Sequence, residues 1–151
     1  MNKVRIRAVV IDDEDLIRDL FYDILKMRGY EVYTSPEPLI CPIYLDCGCP
    51  CPGGHFCTDI IITDINMTNM TGLEFIEHQK SNGCKVQNVA VMSGSWTDEE
   101  LEHAKRLGCH TFNKPCKIYE IKKWLDACEN KFDPNNKLSD LPFSRARVLS
   151  Y

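Results

Sequence analysis

Short, β-branched apolar runs alternate with stretches of helical periodicity along most of this 151-residue chain. That alternation leaves few folds open. Val4 to Ile11 reads as a buried strand, Glu31 to Thr34 as a second and Asp59 to Thr63 (DIIIT) as a third. Val89 to Met92 is a fourth, and a brief fifth lies near His110 to Asn113. The third run is apolar on both faces, as suits a central strand of a parallel sheet. Between the strands, Leu16, Ile17, Leu20, Phe21, Ile24 and Leu25 recur at helical spacing until Gly29. Thr71-Gly72-Leu73-Glu74 has the form of a capping box opening a helix through Lys80. A second box, Thr97-Asp98-Glu99-Glu100, starts a helix carrying Leu101, Ala104 and Leu107 and ending at Gly108. The last helix puts Ile118, Ile121, Trp124, Leu125 and Cys128 on one face. The pattern predicts an α/β fold: a doubly wound, five-stranded parallel sheet in the order 2-1-3-4-5.

One unit breaks the alternation. Between the second and third strands a helix is due, but Pro36, Pro38, Pro42, Pro50 and Pro52 stand there. Proline at that density forbids a full-length helix. The expected organisation is therefore one domain over residues 1–130, with a Cys/Pro-rich insert at 35–58. A polar tail over 131–151 follows, with no separate output domain. Hydrophobic residues make up 44% of the chain and charged residues 26%, enough apolar material for a real core. No apolar run nears the roughly 18 residues that span a bilayer. The N-terminus lacks the zones of a signal peptide, so a cytoplasmic location away from membranes is expected. With 18 Lys and Arg against 22 Asp and Glu, the net charge of −4 offers no reason to bind nucleic acid directly.

In an open α/β sheet, ligands bind beyond the carboxyl ends of the strands. Asp12 and Asp13 follow the first strand, Asp64 the third, Ser93 the fourth, and Lys114-Pro115 the fifth. Taken singly, each has an ordinary explanation as a helix cap, a turn residue or a solvated charge. Together they set three carboxylates, a hydroxyl and an ammonium on one edge of one sheet. Clustered carboxylates repel unless a cation sits among them, and an all-oxygen donor set suits Mg²⁺. Such a site can clamp a phosphoryl group in transfer, with one carboxylate as nucleophile giving an aspartyl-phosphate.

From Val4 to Asn130 the sequence resembles the receiver domains of two-component response regulators. Asp12-Asp13 look like the family's metal-binding pair and Asp64 like its phosphoacceptor. Ser93 matches its switch hydroxyl and Lys114 its phosphoryl-contacting lysine. The resemblance implies a flavodoxin-like receiver fold with the second helix shortened or lost. It also implies Mg²⁺ held by Asp12, Asp13, Asp64 and the backbone carbonyl of Asn66, and a cis Lys114–Pro115 peptide. A sensor histidine kinase or phosphotransfer protein would be the donor and a downstream protein the target. Two positions depart from the family pattern. Thr68 stands where proline is usual. Thr111 occupies the place of the switch aromatic, with Phe112 one residue nearer the lysine, so either Phe112 serves through a local shift or the coupling is weakened.

Nine cysteines are the compositional outlier. Cys41, Cys47, Cys49, Cys51 and Cys57 crowd together with His55, separated by prolines and glycines that permit tight turns. In a reducing compartment such density suggests Zn²⁺ with four ligands from these six, or an iron–sulfur cluster. Two other functions compete with the phosphoacceptor. One is a metal- or redox-sensing module on the same scaffold. The other is a small Mg²⁺-dependent phosphohydrolase of the haloacid-dehalogenase type, with Asp13 as nucleophile and Asp15 as acid/base.

Overall fold

The computed structural model describes residues 5–38, 56–135 and 138. Five parallel strands form one sheet: β1 (Arg7–Ile11), β2 (Glu31–Ser35), β3 (Ile60–Asp64), β4 (Asn88–Ser93) and β5 (His110–Asn113). Their spatial order is β2-β1-β3-β4-β5, as the alternation predicts. Four helices connect and cover them: α1 (Asp15–Met27), α2 (Gly72–Ser81), α3 (Asp98–Arg106) and α4 (Ile118–Asn130). The expectation that residues 35–58 replace a helix falls mainly on 39–55, outside the described residues.

Every residue of β1 and β3 is buried, because helices pack on both faces of the sheet. Alternate side chains serve the two faces. Val9, Ile11, Ile61, Val89 and Val91 meet Leu73, Phe75 and Ile76 of α2 and Ala104 of α3. Ala8, Val10, Ile60, Ile62, Ala90 and Met92 meet Phe21, Ile24 and Leu25 of α1 and Ile121, Leu125 and Cys128 of α4. Both capping boxes form: the Thr71 hydroxyl accepts from the Glu74 amide and the Thr97 hydroxyl from the Glu100 amide. Gly29 and Gly108 follow α1 and α3 with φ of +85° and +76°, a backbone state that side chains with a Cβ resist.

Three expectations need correcting. Among the described residues β1 begins at Arg7, not earlier. The paired register starts with Arg7 opposite Glu31, and just before it the Ile6 carbonyl accepts from the Glu31 amide at 2.9 Å. Leu16 is 82% exposed, because the buried stripe of α1 runs through Ile17, Leu20, Phe21, Ile24 and Leu25, one residue off its position. Ile118 opens α4 and is half exposed, and the helix reaches the core only from Ile121.

At the amino end of the sheet, buried Arg7 organises the chain. Its guanidinium donates to the Cys57 carbonyl at 2.9 Å and to Glu31 at 3.1 Å, while its amide donates to Asp59. Leu138, in the C-terminal tail, makes an isolated parallel bridge with Phe56. No helix among the described residues is long and apolar enough to cross a membrane.

Candidate functional site

The carboxyl ends of β1, β3, β4 and β5 bring together the residues that the sequence singles out. Asp12 follows β1 directly and is fully buried. Its amide donates to the Ser35 carbonyl of β2, and its Oδ1 accepts from the Glu14 amide at 2.8 Å. Arg18 of α1 donates to its carbonyl at 2.6 Å. These contacts tether the backbone on both sides of the acid. Asp64 ends β3, with its side chain only 7% exposed. Behind it α2 presses close, since a Cβ on Gly72 would lie 2.2 Å from the Asp64 carbonyl oxygen. Glycine is required there by close approach rather than by φ.

Lys114 reaches back across the sheet edge from β5. Its ammonium lies 2.9 Å from Asp12 Oδ2, 3.0 Å from Glu14 Oε1 and 3.2 Å from Asp64 Oδ1. Its amide donates to the Ser93 carbonyl at 2.8 Å, which ties β5 to β4 at this point. The Lys114–Pro115 peptide is cis, as the family resemblance implies. Ser93 is buried, and its Oγ accepts from the Ser95 amide at 3.0 Å, so the hydroxyl proton can be donated elsewhere. Asn66 lies exposed just beyond β3.

Carboxylate oxygens of Asp12, Asp13, Glu14 and Asp64 all lie within 4.8 Å of one another. Glu14 is the member that sequence reasoning missed. It immediately precedes α1, and it shares the Lys114 ammonium. Asp15 is not in the cluster; it pairs with Arg18 in the first turn of α1. The acid/base pair of a haloacid-dehalogenase site is therefore not assembled, because the chain turns into the helix at that residue.

The charge balance explains the titration behaviour. Burial first, then the Asp12 charge, pushes Asp64 up to about 6, against the opposing pull of Lys114. Burial likewise raises Asp12, although the Glu14 amide and Lys114 favour its charged form. Burial alone would lower Lys114, but its hydrogen bonds to Asp12 and Glu14 and the charges of Asp12 and Asp64 hold it above the ordinary lysine value. One ammonium does not neutralise four carboxylates. Asp12 Oδ2 is buried and meets the Lys114 ammonium at 2.9 Å. An all-oxygen cluster whose four carboxylates share one ammonium fits a hard divalent cation such as Mg²⁺.

The strand register decides the aromatic question. Thr111 lies opposite Val91, and Phe112 opposite Met92. Phe112 therefore turns with Met92 to the α1–α4 face, where it is buried. By the same alternation Ser93 shares its face with Val91 and Thr111, so Phe112 cannot serve as the switch aromatic. Trp96, which sequence reasoning passed over, packs on the α2–α3 face, and its Nε1 donates to the Phe112 carbonyl at 3.0 Å. It links the loop after β4 to β5. Of the cysteine cluster, only Cys57 lies among the described residues; it is fully buried in the core on the α2–α3 face. Cys41, Cys47, Cys49, Cys51 and His55 lie outside them.

Comparison with known proteins agrees with this geometry. Residues 8–126 match the family model described as the response regulator receiver domain. The chain is 30% identical over 105 residues to the transcriptional regulatory protein FixJ of Azorhizobium caulinodans, covering 68% of this chain and 44% of that protein. It thus spans less than half the length of that curated relative. Among solved structures, chemotaxis protein CheY4 of Vibrio cholerae superimposes with a TM-score of 0.66 at 23% identity, covering 82% of this chain and 98% of that one. A response regulator receiver protein from Pseudomonas putida gives 0.69 at 20% identity, covering 83% and 99%. At those identities the structures establish the fold alone.

Proposed function

Because the chain belongs to the response regulator receiver domain family, a family of phosphoacceptor signalling modules rather than true enzymes, we propose that Asp64 is its phosphoacceptor. The observation that carries this reading is the shared ammonium: Lys114 lies 3.2 Å from Asp64 Oδ1 and 2.9 Å from Asp12 Oδ2, at the carboxyl edge of the sheet. Receiver domains pair with histidine kinases, and the acidic cluster here is typical of the receiver Mg²⁺ site. The donor would be a phosphohistidine on a cytoplasmic sensor kinase or phosphotransfer protein, or a small acyl phosphate.

In the transfer an Asp64 carboxylate oxygen attacks phosphorus, the bond to the donor atom breaks, and the donor leaves with its electron pair. Asp12, Asp13, Asp64 and the Asn66 carbonyl would hold Mg²⁺, which when bound neutralises charge on the phosphoryl oxygens. Lys114 contacts the incoming group and Ser93 donates its hydroxyl proton to it. Movement of Ser93 pulls on the loop after β4. Trp96 and the Ser93–Lys114 backbone bond carry that pull to β5, altering a protein-binding face around β4, α3 and β5. Hydrolysis of the acyl phosphate restores the starting state.

Incubation with acetyl phosphate and Mg²⁺, read by intact mass, tests this. The wild type should gain one phosphoryl group that Asp64→Asn lacks and Asp13→Asn still acquires at a reduced rate. An adduct that survives in Asp64→Asn would overturn the assignment.

The receiver is proposed to span residues 1–130, with 35–58 as an insert in place of a helix and 131–151 as a tail. In this reading the insert binds a structural Zn²⁺ through four of Cys41, Cys47, Cys49, Cys51, Cys57 and His55. The complete burial of Cys57 supports a stabilising role for that end of the insert. Plasma mass spectrometry of protein purified without chelator tests it.

A further inference from the structure

Cys84 stands 27 positions beyond Cys57 and outside the cysteine-rich stretch, yet the two sulfurs lie 3.5 Å apart. Both positions are built rather than incidental. Cys57 is held from behind, its carbonyl accepting from the buried Arg7 guanidinium at 2.9 Å. The next residue is fixed as well, with Thr58 Oγ1 donating to the Arg7 carbonyl at 2.8 Å. Cys84 follows the end of α2, where Gly83 adopts φ +86° and the Cys84 amide donates to the Gln79 carbonyl at 2.9 Å. That turn sends the chain back over the α2–α3 face, and Cys84 packs against the same core cluster that contains Cys57. Cys57 is fully buried and Cys84 only partly, so the pair sits at the boundary between core and surface.

Two thiolates on one tetrahedral zinc, with Zn–S near 2.3 Å, are held about 3.8 Å apart. The observed separation needs only a few tenths of an ångström of adjustment to match. We propose that Cys84 is a metal ligand, paired with Cys57 as two thiolate donors to a soft divalent ion of the zinc class. This rests on the zinc reading above and changes its donor set. One ligand comes from the α2–β4 connection, outside the stretch that ends at Cys57. On binding, each coordinating thiol releases its proton and gives the resulting sulfur lone pair to the metal. Fastening the start of β3 to the α2–β4 loop joins two segments at the amino edge of the sheet. That edge lies opposite the one that holds Asp64, so the ion would stabilise the domain without entering the phosphoryl site.

The test compares wild type, Cys84→Ser, Cys84→His and the core-thiol control Cys128→Ser, all as full chains purified without chelator. Zinc content is measured by plasma mass spectrometry, and Co²⁺ replacement reads the thiolate count through the sulfur-to-metal charge-transfer band. Wild type and Cys128→Ser should hold one ion. Cys84→Ser should bind at least tenfold more weakly. Cys84→His should keep one ion while losing about a quarter to a half of the charge-transfer intensity, as one of two to four thiolates is replaced. The His variant decides the matter if the Ser variant does not fold. If wild type holds zinc and both Cys84 variants match it in affinity and band intensity, the assignment of Cys84 fails while the zinc reading stands. A metal-free wild type would sink both, whereas a disulfide between Cys57 and Cys84 in the purified protein would sink the assignment of Cys84.

Discussion

Substituting the buried acid of the phosphoacceptor site should stabilise the protein in the absence of metal. Asp64 titrates at about 6 in the folded chain, against 3.8 for an ordinary aspartate, chiefly because it is buried and faces Asp12. Between those two values the native state holds more protons than the unfolded state. Stability therefore falls as pH rises through that window, and above it the full penalty of the buried charge is present. The gap corresponds to about 3 kcal/mol, with little solvent screening because the side chain is only 7% exposed. Asparagine has the shape of the neutral acid and no charge, so Asp64→Asn should be more stable than wild type by about 3 kcal/mol at pH 7. For a domain of this size that is roughly 6–12 °C in Tm. Near pH 4 the wild-type carboxyl is protonated when folded, and the advantage should shrink toward nothing. Millimolar Mg²⁺ should raise the wild-type Tm more than that of the variant, narrowing the difference at pH 7. Differential scanning calorimetry in chelator from pH 4 to 7.5, then with Mg²⁺, measures all of this. A Tm difference that does not change with pH, or a variant less stable than wild type at pH 7, would refute the reasoning.

Lys114→Met leaves Asp12 and Asp64 buried without their cation, and urea unfolding in chelator at pH 7 should show a loss of about 3–5 kcal/mol that acidification reduces. Gly72→Ala drives a Cβ against the Asp64 carbonyl, so it should cost about 1–3 kcal/mol and slow phosphorylation by acetyl phosphate; an unchanged rate and Tm would contradict the close packing. Thr97→Ala removes the acceptor of the Glu100 amide and should cost about 1 kcal/mol by thermal melt, with little effect on phosphorylation. In a Trp124→Phe background, Trp96 emission should change on adding acetyl phosphate with Mg²⁺, and stay constant when Asp64 is also replaced by Asn.

Much of this molecule is legible along the chain because the relevant signals are local. Thr71 with Glu74, and Thr97 with Glu100, are three residues apart, and each box closes within its own first turn. The apolar character of DIIIT announces a strand covered on both faces, and Asp12, Asp64, Ser93 and Lys114 can be placed because each stands at or just past a strand end that the sequence makes visible. Other features depend on how separate elements meet. Glu14 joins the cluster only because Lys114 arrives from β5, and Leu16 is exposed only because α1 settles with a stripe one residue away facing the sheet.

By itself, then, the sequence determined the strand and helix alternation, the sheet order and the set of side chains at its carboxyl edge, since periodicity and capping are written in residues a few positions apart. Tertiary structure alone decided which face Phe112 takes, that Trp96 reaches its carbonyl, and that Cys84 meets Cys57. Those outcomes depend on strand register and on loops from distant parts of the chain converging, distances that no spacing in the sequence encodes.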